Sequence, residues 1–382
     1  MQKKKILIFI DWFLPGYKAG GPVRSMANMV EYLKEEYAFY IYTSNKDHDG
    51  EKLKVINNKW IPFNEGAAKV FYSSKPTYGE VKLIIEEVKP EVVYLNSVFS
   101  LVYTLFPLIV NRFYKKVSIE KVVFAPRGMF QMGALQLKSV KKRAFLNIVK
   151  PILFKVGNIV WHATDEQEMQ DVKDEIGEKA VVQKVGNIPT TKVGNYGIVL
   201  SEDEIRFVTI SLVAEKKNHI FFLKLLRELK VPLGKKVIYD IYGPIKDTEY
   251  WERCKEEMEN LPEGILVNYK GSVMPSKVSE TLQAYHYFVL PTLGENFGHA
   301  IFEALINGVP VLLSDQTPWI DLEEMKAGWS IDLNSEEEWK SRFEHLIHEA
   351  VDYDCFRKGA KEVAKKYVEL QSFKETYRQL YY

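Results

Sequence analysis

The sequence predicts an α/β fold built from two Rossmann-like units in tandem, followed by a helical tail. Three observations carry that reading. Short apolar runs alternate with amphipathic stretches of helical period through both halves of the 382 residues, the pattern of parallel strands covered by helices. The periodicity lapses once, around Pro189 to Glu204, in a Gly/Asn/Thr-containing segment of linker character, and then restarts. Residues 335–382 are helical in pattern and rich in charge, with no further strand-like run. The length also exceeds what one ordinary core accommodates. The expected domains are residues 1–190, residues 191–360, and a C-terminal helix over 361–382 placed to cross back to the first domain.

In the first half the strand-like runs are Ile6–Ile10, Phe39–Thr43, Val70–Tyr72, Val92–Leu95, Val122–Ala125, Ile159–His162 and Val181–Val185. Helices are expected between most of them, as at Val23–Lys34 and Thr77–Val88. In the second half Phe207–Ile210, Val237–Ile241, Leu266–Tyr269, Phe288–Leu290 and Val309–Leu313 read as strands, with helices such as His219–Leu229 and Glu249–Glu259 between them. No internal sequence repeat links the halves, so they are alike in pattern only.

Composition narrows the function classes. Two cysteines, Cys254 and Cys355, make neither a disulfide framework nor a four-ligand zinc site, and suit a reducing, cytoplasmic setting. The apolar run Ile6–Ile10 stops at Asp11 with no small-residue cleavage site after it, so it reads as a buried strand and not as a signal peptide. Leu101–Val110 contains Pro107 and is too short to span a bilayer. The formal net charge is only +1, yet residues 1–190 carry 28 basic and 20 acidic side chains against 24 and 31 in the remainder. That asymmetry points the first half toward something negative.

Ligands of such sheets lie beyond the carboxyl ends of the strands, so the informative motifs are those that follow strand-like runs. In Leu290-Pro-Thr-Leu-Gly-Glu-Asn-Phe-Gly-His-Ala-Ile-Phe-Glu-Ala-Leu305 a strand ends, a loop carries Glu295, Asn296, Phe297 and Gly298, and a helix carries Glu303. Gly298 allows close backbone approach, and the amides opening the helix suit an anionic diphosphate. At ~1.5 Å rise per residue the two glutamates stand at most roughly 12 Å apart, a span on which one carboxylate holds a sugar and the other a ribose. Either glutamate alone would read as an ordinary surface residue. The pair, with Pro291 before and Gly308-Val-Pro310 after, favours a binding site.

This segment resembles the donor-site signature of the retaining family-4 glycosyltransferases, in which two glutamates are separated by seven residues. The resemblance runs over nearly the whole chain, with its motifs in 285–315, 16–30, 122–145 and 205–225. It implies a GT-B fold of two facing Rossmann-like domains, with the nucleotide-diphosphate sugar held mainly by the second and the acceptor by the first. It also implies retention of anomeric configuration without a bound metal or other cofactor. Glu295 would then contact the donor sugar, Glu303 the ribose, and the amides of Asn296, Phe297 and Gly298 the sugar and phosphate. In Val208-Thr-Ile-Ser-Leu-Val-Ala-Glu-Lys-Lys-Asn218, Lys217 matches the family's diphosphate-neutralising lysine and Lys216 reads as its solvated neighbour. The family's arginine after the serine is here Leu212, so either another cation supplies that charge, with Arg127 and Arg24 as candidates, or activity is weak. Gly243, and Gly271 with Val273, resemble nucleobase-pocket loops. Gly21, in Gly16-Tyr-Lys-Ala-Gly-Gly-Pro-Val-Arg24, resembles the Gly-Gly loop facing the donor phosphate. That loop lacks the spacing of a dinucleotide fingerprint.

Ala125-Pro-Arg-Gly128 places Arg127 where many family members have a histidine. Thr164-Asp-Glu-Gln-Glu168 resembles a family element, but a helix cap with first-turn acids explains it better. Residues 112–155 concentrate Arg112, Lys115, Lys116, Lys121, Arg127, Lys138, Lys141, Lys142, Arg143, Lys150 and Lys155 against Glu120 alone. With apolar side chains interleaved and no nucleic-acid module present, Arg112, Lys115, Lys116, Lys138, Lys141, Lys142 and Arg143 suit a phosphate-linked acceptor or an anionic membrane surface, and nucleic acid is not an expected partner. Asp47-His-Asp49 and Asp352-Tyr-Asp354 have the D-x-D form, one in a polar loop and one in the tail, and read as chance. The composition thus points to a cytoplasmic protein, and the resemblance implies a sugar transferase acting on a glycan or lipid-linked acceptor, with cell-surface polysaccharide synthesis as the family-level expectation. The alternatives are a nucleotide-sugar epimerase of the same fold and a non-catalytic nucleotide-sugar-binding protein.

Overall fold

The computed structural model describes residues 3–114, 116–130, 144–147, 150, 158–193, 203–348 and 352–382. They form two compact units, one of Met1–Ile188 with Ser372–Tyr382 and one of Pro189–Gln371. Among the described residues no helix is long and apolar enough to cross a membrane.

Unit 1 runs β1 (Lys4–Phe9), α1 (Gly21–Tyr32), β2 (Tyr37–Ser44), β3 (Trp60–Phe63), β4 (Ala68–Ser73), α2 (Tyr78–Val88), β5 (Val92–Leu95), α3 (Phe106–Phe113), β6 (Lys121–Phe124), β7 (Ile159–Ala163), α4 (Glu166–Ile176) and β8 (Val182–Lys184). The sheet order is β3-β4-β2-β1-β5-β6-β7-β8. Every pairing is parallel except β3 with β4. The strands β1, β5 and β6 are short apolar runs because both of their faces are covered. The edge strand β3, Trp60-Ile-Pro-Phe63, is apolar but broken by a proline. It contains Pro62, which lacks a ladder donor and is tolerated at an edge. Sequence periodicity passes over it for that reason. Helix α2 starts where Thr77 accepts the amide of Glu80 at 3.3 Å, a side-chain N-cap.

Unit 2 runs β9 (Glu204–Ile210), α5 (His219–Glu228), β10 (Lys236–Tyr242), α6 (Thr248–Met258), β11 (Ile265–Gly271), α7 (Val278–Gln283), β12 (Tyr287–Leu290), α8 (His299–Ile306), β13 (Val311–Ser314), β14 (Gly328–Ile331), α9 (Glu336–His348) and α10 (Tyr353–Leu370). Its sheet is wholly parallel in the order β11-β10-β9-β12-β13-β14. Successive side chains of β9 point to opposite faces. Phe207 enters a core with Phe222, Tyr239, Trp339 and Phe343, while Val208 enters one with Phe288, Phe302 and Leu313. The strand β14, Gly-Trp-Ser-Ile, is too short and too mixed to stand out in the sequence.

The last helix, α11 (Phe373–Tyr381), belongs to unit 1. Tyr377 and Tyr381 lie four apart on one helical face and are fully buried. The Tyr381 ring meets Tyr37 at 5.0 Å and Tyr94 at 6.4 Å between centroids, and Tyr377 meets His162 at 5.7 Å. Lys4 Nζ donates to the Tyr381 carbonyl at 3.1 Å.

Candidate functional site

At the carboxyl end of the unit 2 sheet three loops are bound together. After β9 the chain makes a single turn at Glu215–Lys217 and enters α5 through Asn218, whose φ is 56°. After β12, Leu293 donates its amide, at 2.8 Å, and Thr292 its hydroxyl, at 3.0 Å, to the carbonyl of Lys216. The amide of Glu295 donates to the carbonyl of Gln316 at 3.0 Å, and Ser314 Oγ donates to the carbonyl of Thr292 at 2.6 Å. These bonds hold the Lys217 ammonium and the Glu295 carboxylate in direct contact as an ion pair, with side chains 17% and 16% exposed. Burial, then the charges of Lys216 and Lys246, push the Lys217 ammonium down to about 7.

The loop then enters α8. Gly298 has φ 74°, and a Cβ there would lie 2.6 Å from Ile301 Cδ1, so a larger residue would strain the turn. Phe297 is a core anchor: its ring packs on Trp319 at 5.6 Å and Tyr367 at 5.4 Å, and its carbonyl accepts from Trp319 Nε1 at 2.6 Å. Glu303, one turn into α8, is 5% exposed. The segment thus unites an ion pair, a glycine turn and a buried carboxylate on one strand–loop–helix. Asn296 lies in the same loop. Val273 packs against the core formed by Val208 and Phe288.

The glycines differ. A Cβ on Gly243 would lie 1.7 Å from the Ser211 carbonyl oxygen, whereas on Gly271 it would meet nothing within 4 Å. The Gly243 amide donates to the carbonyl of Gly271 at 2.9 Å. Gly243 is therefore required by the approach of two loops, whatever ligand they hold. Gly21 opens α1 after Gly20, whose φ is 78°.

Arg127 stands in unit 1 after β6, with φ 53°. Its Nε donates to Asn96 Oδ1 at 2.9 Å, Nη1 to Asn187 Oδ1 at 2.8 Å and Nη2 to the Tyr94 hydroxyl at 2.8 Å. Tyr94 donates in turn to His162 Nδ1 at 2.6 Å, because His162 Nε2 must donate to the Val185 carbonyl at 2.7 Å. Burial, then Arg127, push His162 down to about 3, so this imidazole is neutral. Glu168 is 1% exposed and accepts from the amide of Gly128 at 2.6 Å and from Thr164 Oγ1 at 2.8 Å. Asp165 provides the cap of α4. The sequence motif at 164–168 is thus a brace for the Arg127 loop. The guanidinium is already held at three of its nitrogens by neutral acceptors.

One unit 1 residue was not legible as a candidate. Asp11 follows β1 and accepts from Ser100 Oγ at 3.0 Å, and burial pushes its carboxyl up to about 6. Neighbouring Asn96 is 3% exposed, and its Nδ2 has no hydrogen-bond partner among the described residues. In the sequence Asp11 merely ends an apolar run, and only the meeting of β1 with β5 reveals its setting. The D-x-D residues are structural. Asp47 accepts the amides of Tyr17 and His48 at 3.0 and 2.7 Å, and Asp352 accepts the amide of Cys355 at 3.0 Å to cap α10. Of the basic stretch, Arg112 ends α3 beside exposed Phe113, Lys116 lies 6.0 Å from the Tyr114 ring centre, and Lys150 pairs with Glu175 at 2.7 Å. Lys115, Lys138, Lys141, Lys142, Arg143 and Lys155 lie outside the described residues.

Comparison with known proteins places this architecture in a class. Residues 197–363 match the family described as Glycosyl transferases group 1. Sucrose-phosphate synthase from Thermosynechococcus elongatus is similar over 99% of both chains, with TM-score 0.73 and 13% identity. Anabaena HepE in complex with UDP-glucose is similar over 98% of this chain and 99% of its own, with TM-score 0.66 and 13% identity. WaaG, a glycosyltransferase involved in lipopolysaccharide biosynthesis, is similar over 98% of both, with TM-score 0.63 and 13% identity. The fold is therefore GT-B. In sequence, sulfoquinovosyl transferase SQD2 of Arabidopsis thaliana is 25% identical over 117 residues, a segment that is 30% of this chain and 23% of that protein.

Proposed function

We propose that this chain is a retaining glycosyltransferase that moves a sugar from a nucleotide-diphosphate donor to a glycan or lipid-linked acceptor in cell-surface polysaccharide synthesis, without a metal ion. The observation that carries the reading is the Lys217–Glu295 ion pair at the carboxyl end of the unit 2 sheet, joined through one glycine turn to the buried Glu303. Lys217 neutralises the departing diphosphate together with the amides of Asn296, Phe297 and Gly298. Glu295 orients hydroxyls of the transferred sugar and Glu303 the ribose. The acceptor hydroxyl oxygen bonds to the anomeric carbon on the face the diphosphate leaves, the carbon–oxygen bond to phosphate breaks with its electrons, and the hydroxyl proton passes to a phosphate oxygen. Gly21 and the basic stretch of unit 1, with Arg112 and Lys116, are assigned to phosphate and acceptor.

The test is turnover of a panel of nucleotide sugars by purified protein in EDTA, with the product's anomeric configuration read by NMR. Release of nucleoside diphosphate with glycosylated, retained product is expected. Absence of turnover with every donor and acceptor would remove the enzyme reading. Strict dependence on magnesium or manganese would remove the metal-free one.

Glu303→Gln keeps the shape of the side chain and removes its charge. Hydrogen bonds to charged groups contribute about 1.5–3 kcal/mol, so donor affinity should fall roughly 10- to 100-fold with little change in acceptor dependence. An unaltered donor Kd in calorimetry would place the ribose elsewhere.

A further inference from the structure

We propose that Lys246, with Lys216, supplies the positive charge that receives the diphosphate beside Lys217, in the place that Leu212 leaves uncharged. The proposal rests on the donor reading above and assigns to that site a residue that the sequence did not single out.

The argument begins with how two loops leave the sheet. Parallel pairing of β9 with β10 continues past the strand ends. The Ser211 amide donates to the Tyr242 carbonyl at 2.9 Å and the Val213 amide to the Pro244 carbonyl at 3.0 Å. The amides of Lys246 and Asp247 both donate back to the Val213 carbonyl, at 3.0 and 3.2 Å. Val213 also bridges Ile245. Lys246 is thereby held one residue from Leu212, on the neighbouring strand's extension. The Asp247 carboxylate caps α6, accepting the Tyr250 amide at 3.0 Å. The Lys246 side chain is exposed.

Lys216 closes the other side. Its Nζ lies 3.8 Å from where a Cβ on Gly294 would stand, so it reaches over the loop that carries Glu295. Three lysines thus stand on the loops that follow β9 and β10, with the charge of Lys246 felt at Lys217, and the amides opening α8 after β12 add their own positive potential. The Glu295 carboxylate offsets part of this charge, and a dianion entering beside it relieves the repulsion that the like charges retain. A diphosphate meets that demand, whereas an uncharged sugar does not.

Calorimetry with UDP, GDP and ADP, and with uridine, guanosine and adenosine, tests the assignment. Binding of at least one diphosphate by the unaltered protein is required by the donor reading, and its failure overturns that reading itself. For the diphosphate that binds, Lys246→Ala should weaken affinity tenfold or more while the nucleoside's affinity stays unchanged. Lys246→Arg should retain binding, and Leu212→Arg added to Lys246→Ala should recover part of the loss. Equal diphosphate affinity in Lys246→Ala would overturn the role of Lys246 and leave the donor reading standing. Equal losses for diphosphate and nucleoside would also overturn it, because Lys246 would then act only on the shape of its loop.

Discussion

Replacing Lys217 by methionine is expected to lower kcat by two to three orders of magnitude while leaving the protein folded. A preorganised positive group facing charge that develops on a leaving group contributes on the order of 3–4 kcal/mol to the transition state. Methionine keeps the length of the stem, so only the ammonium is lost. The loss leaves Glu295, 16% exposed, without its cation, and breaking one side of a buried pair destabilises more than removing both. Thermal stability should therefore fall in Lys217→Met and recover in Lys217→Met/Glu295→Gln, with activity low in both. If activity and stability recover together, the pair is a structural clamp and not a catalytic one.

The same lysine sets a pH dependence with a definite sign. Burial and the charges of Lys216 and Lys246 push its ammonium down to about 7. A bound diphosphate favours the protonated form and raises that value. Donor binding should then take up a proton from about pH 7 upward, and affinity should weaken as pH climbs, by at most about tenfold per pH unit. The weakening ends once pH exceeds the value in the complex. Proton uptake measured in buffers of different ionisation enthalpy checks this, and Lys217→Met should abolish it.

Gly243→Ala should unfold or severely destabilise unit 2. The added methyl would stand 1.7 Å from the Ser211 carbonyl oxygen, at a residue whose φ is 142°. Overpacking costs about 1–3 kcal/mol, and a backbone conformation foreign to alanine adds roughly 1–3 kcal/mol. Together, roughly 2–6 kcal/mol, they reach at most the lower end of a domain's whole stability, about 5–15 kcal/mol. Gly271→Ala is the control. Its φ is 72° but its Cβ would meet nothing within 4 Å, so a loss of only about 1–2 kcal/mol is expected. Denaturant midpoints separate the two, and equal midpoints would show that the approach of Ser211 is not what demands glycine at 243.

The sequence by itself determined the alternation of strands and helices in both halves, the strand–loop–helix that carries Glu295 and Glu303, and the lysine at 217. All are local: buried parallel strands are continuous apolar runs, and a glycine turn into a helix is read from consecutive residues. It did not reveal β3, whose Pro62 is tolerated only because the strand lies at an edge, nor β14, recognisable only beside β13. Tertiary structure decided the rest. It placed Tyr377 and Tyr381 on His162 and Tyr94, since a helix's apolar face does not specify which surface will cover it. It committed the fork of Arg127 to Asn96, Asn187 and Tyr94, partners 31, 60 and 33 residues away. It brought Lys246 to Val213, since hydrogen bonds between neighbouring parallel strands join residues that the sequence separates by an entire helix.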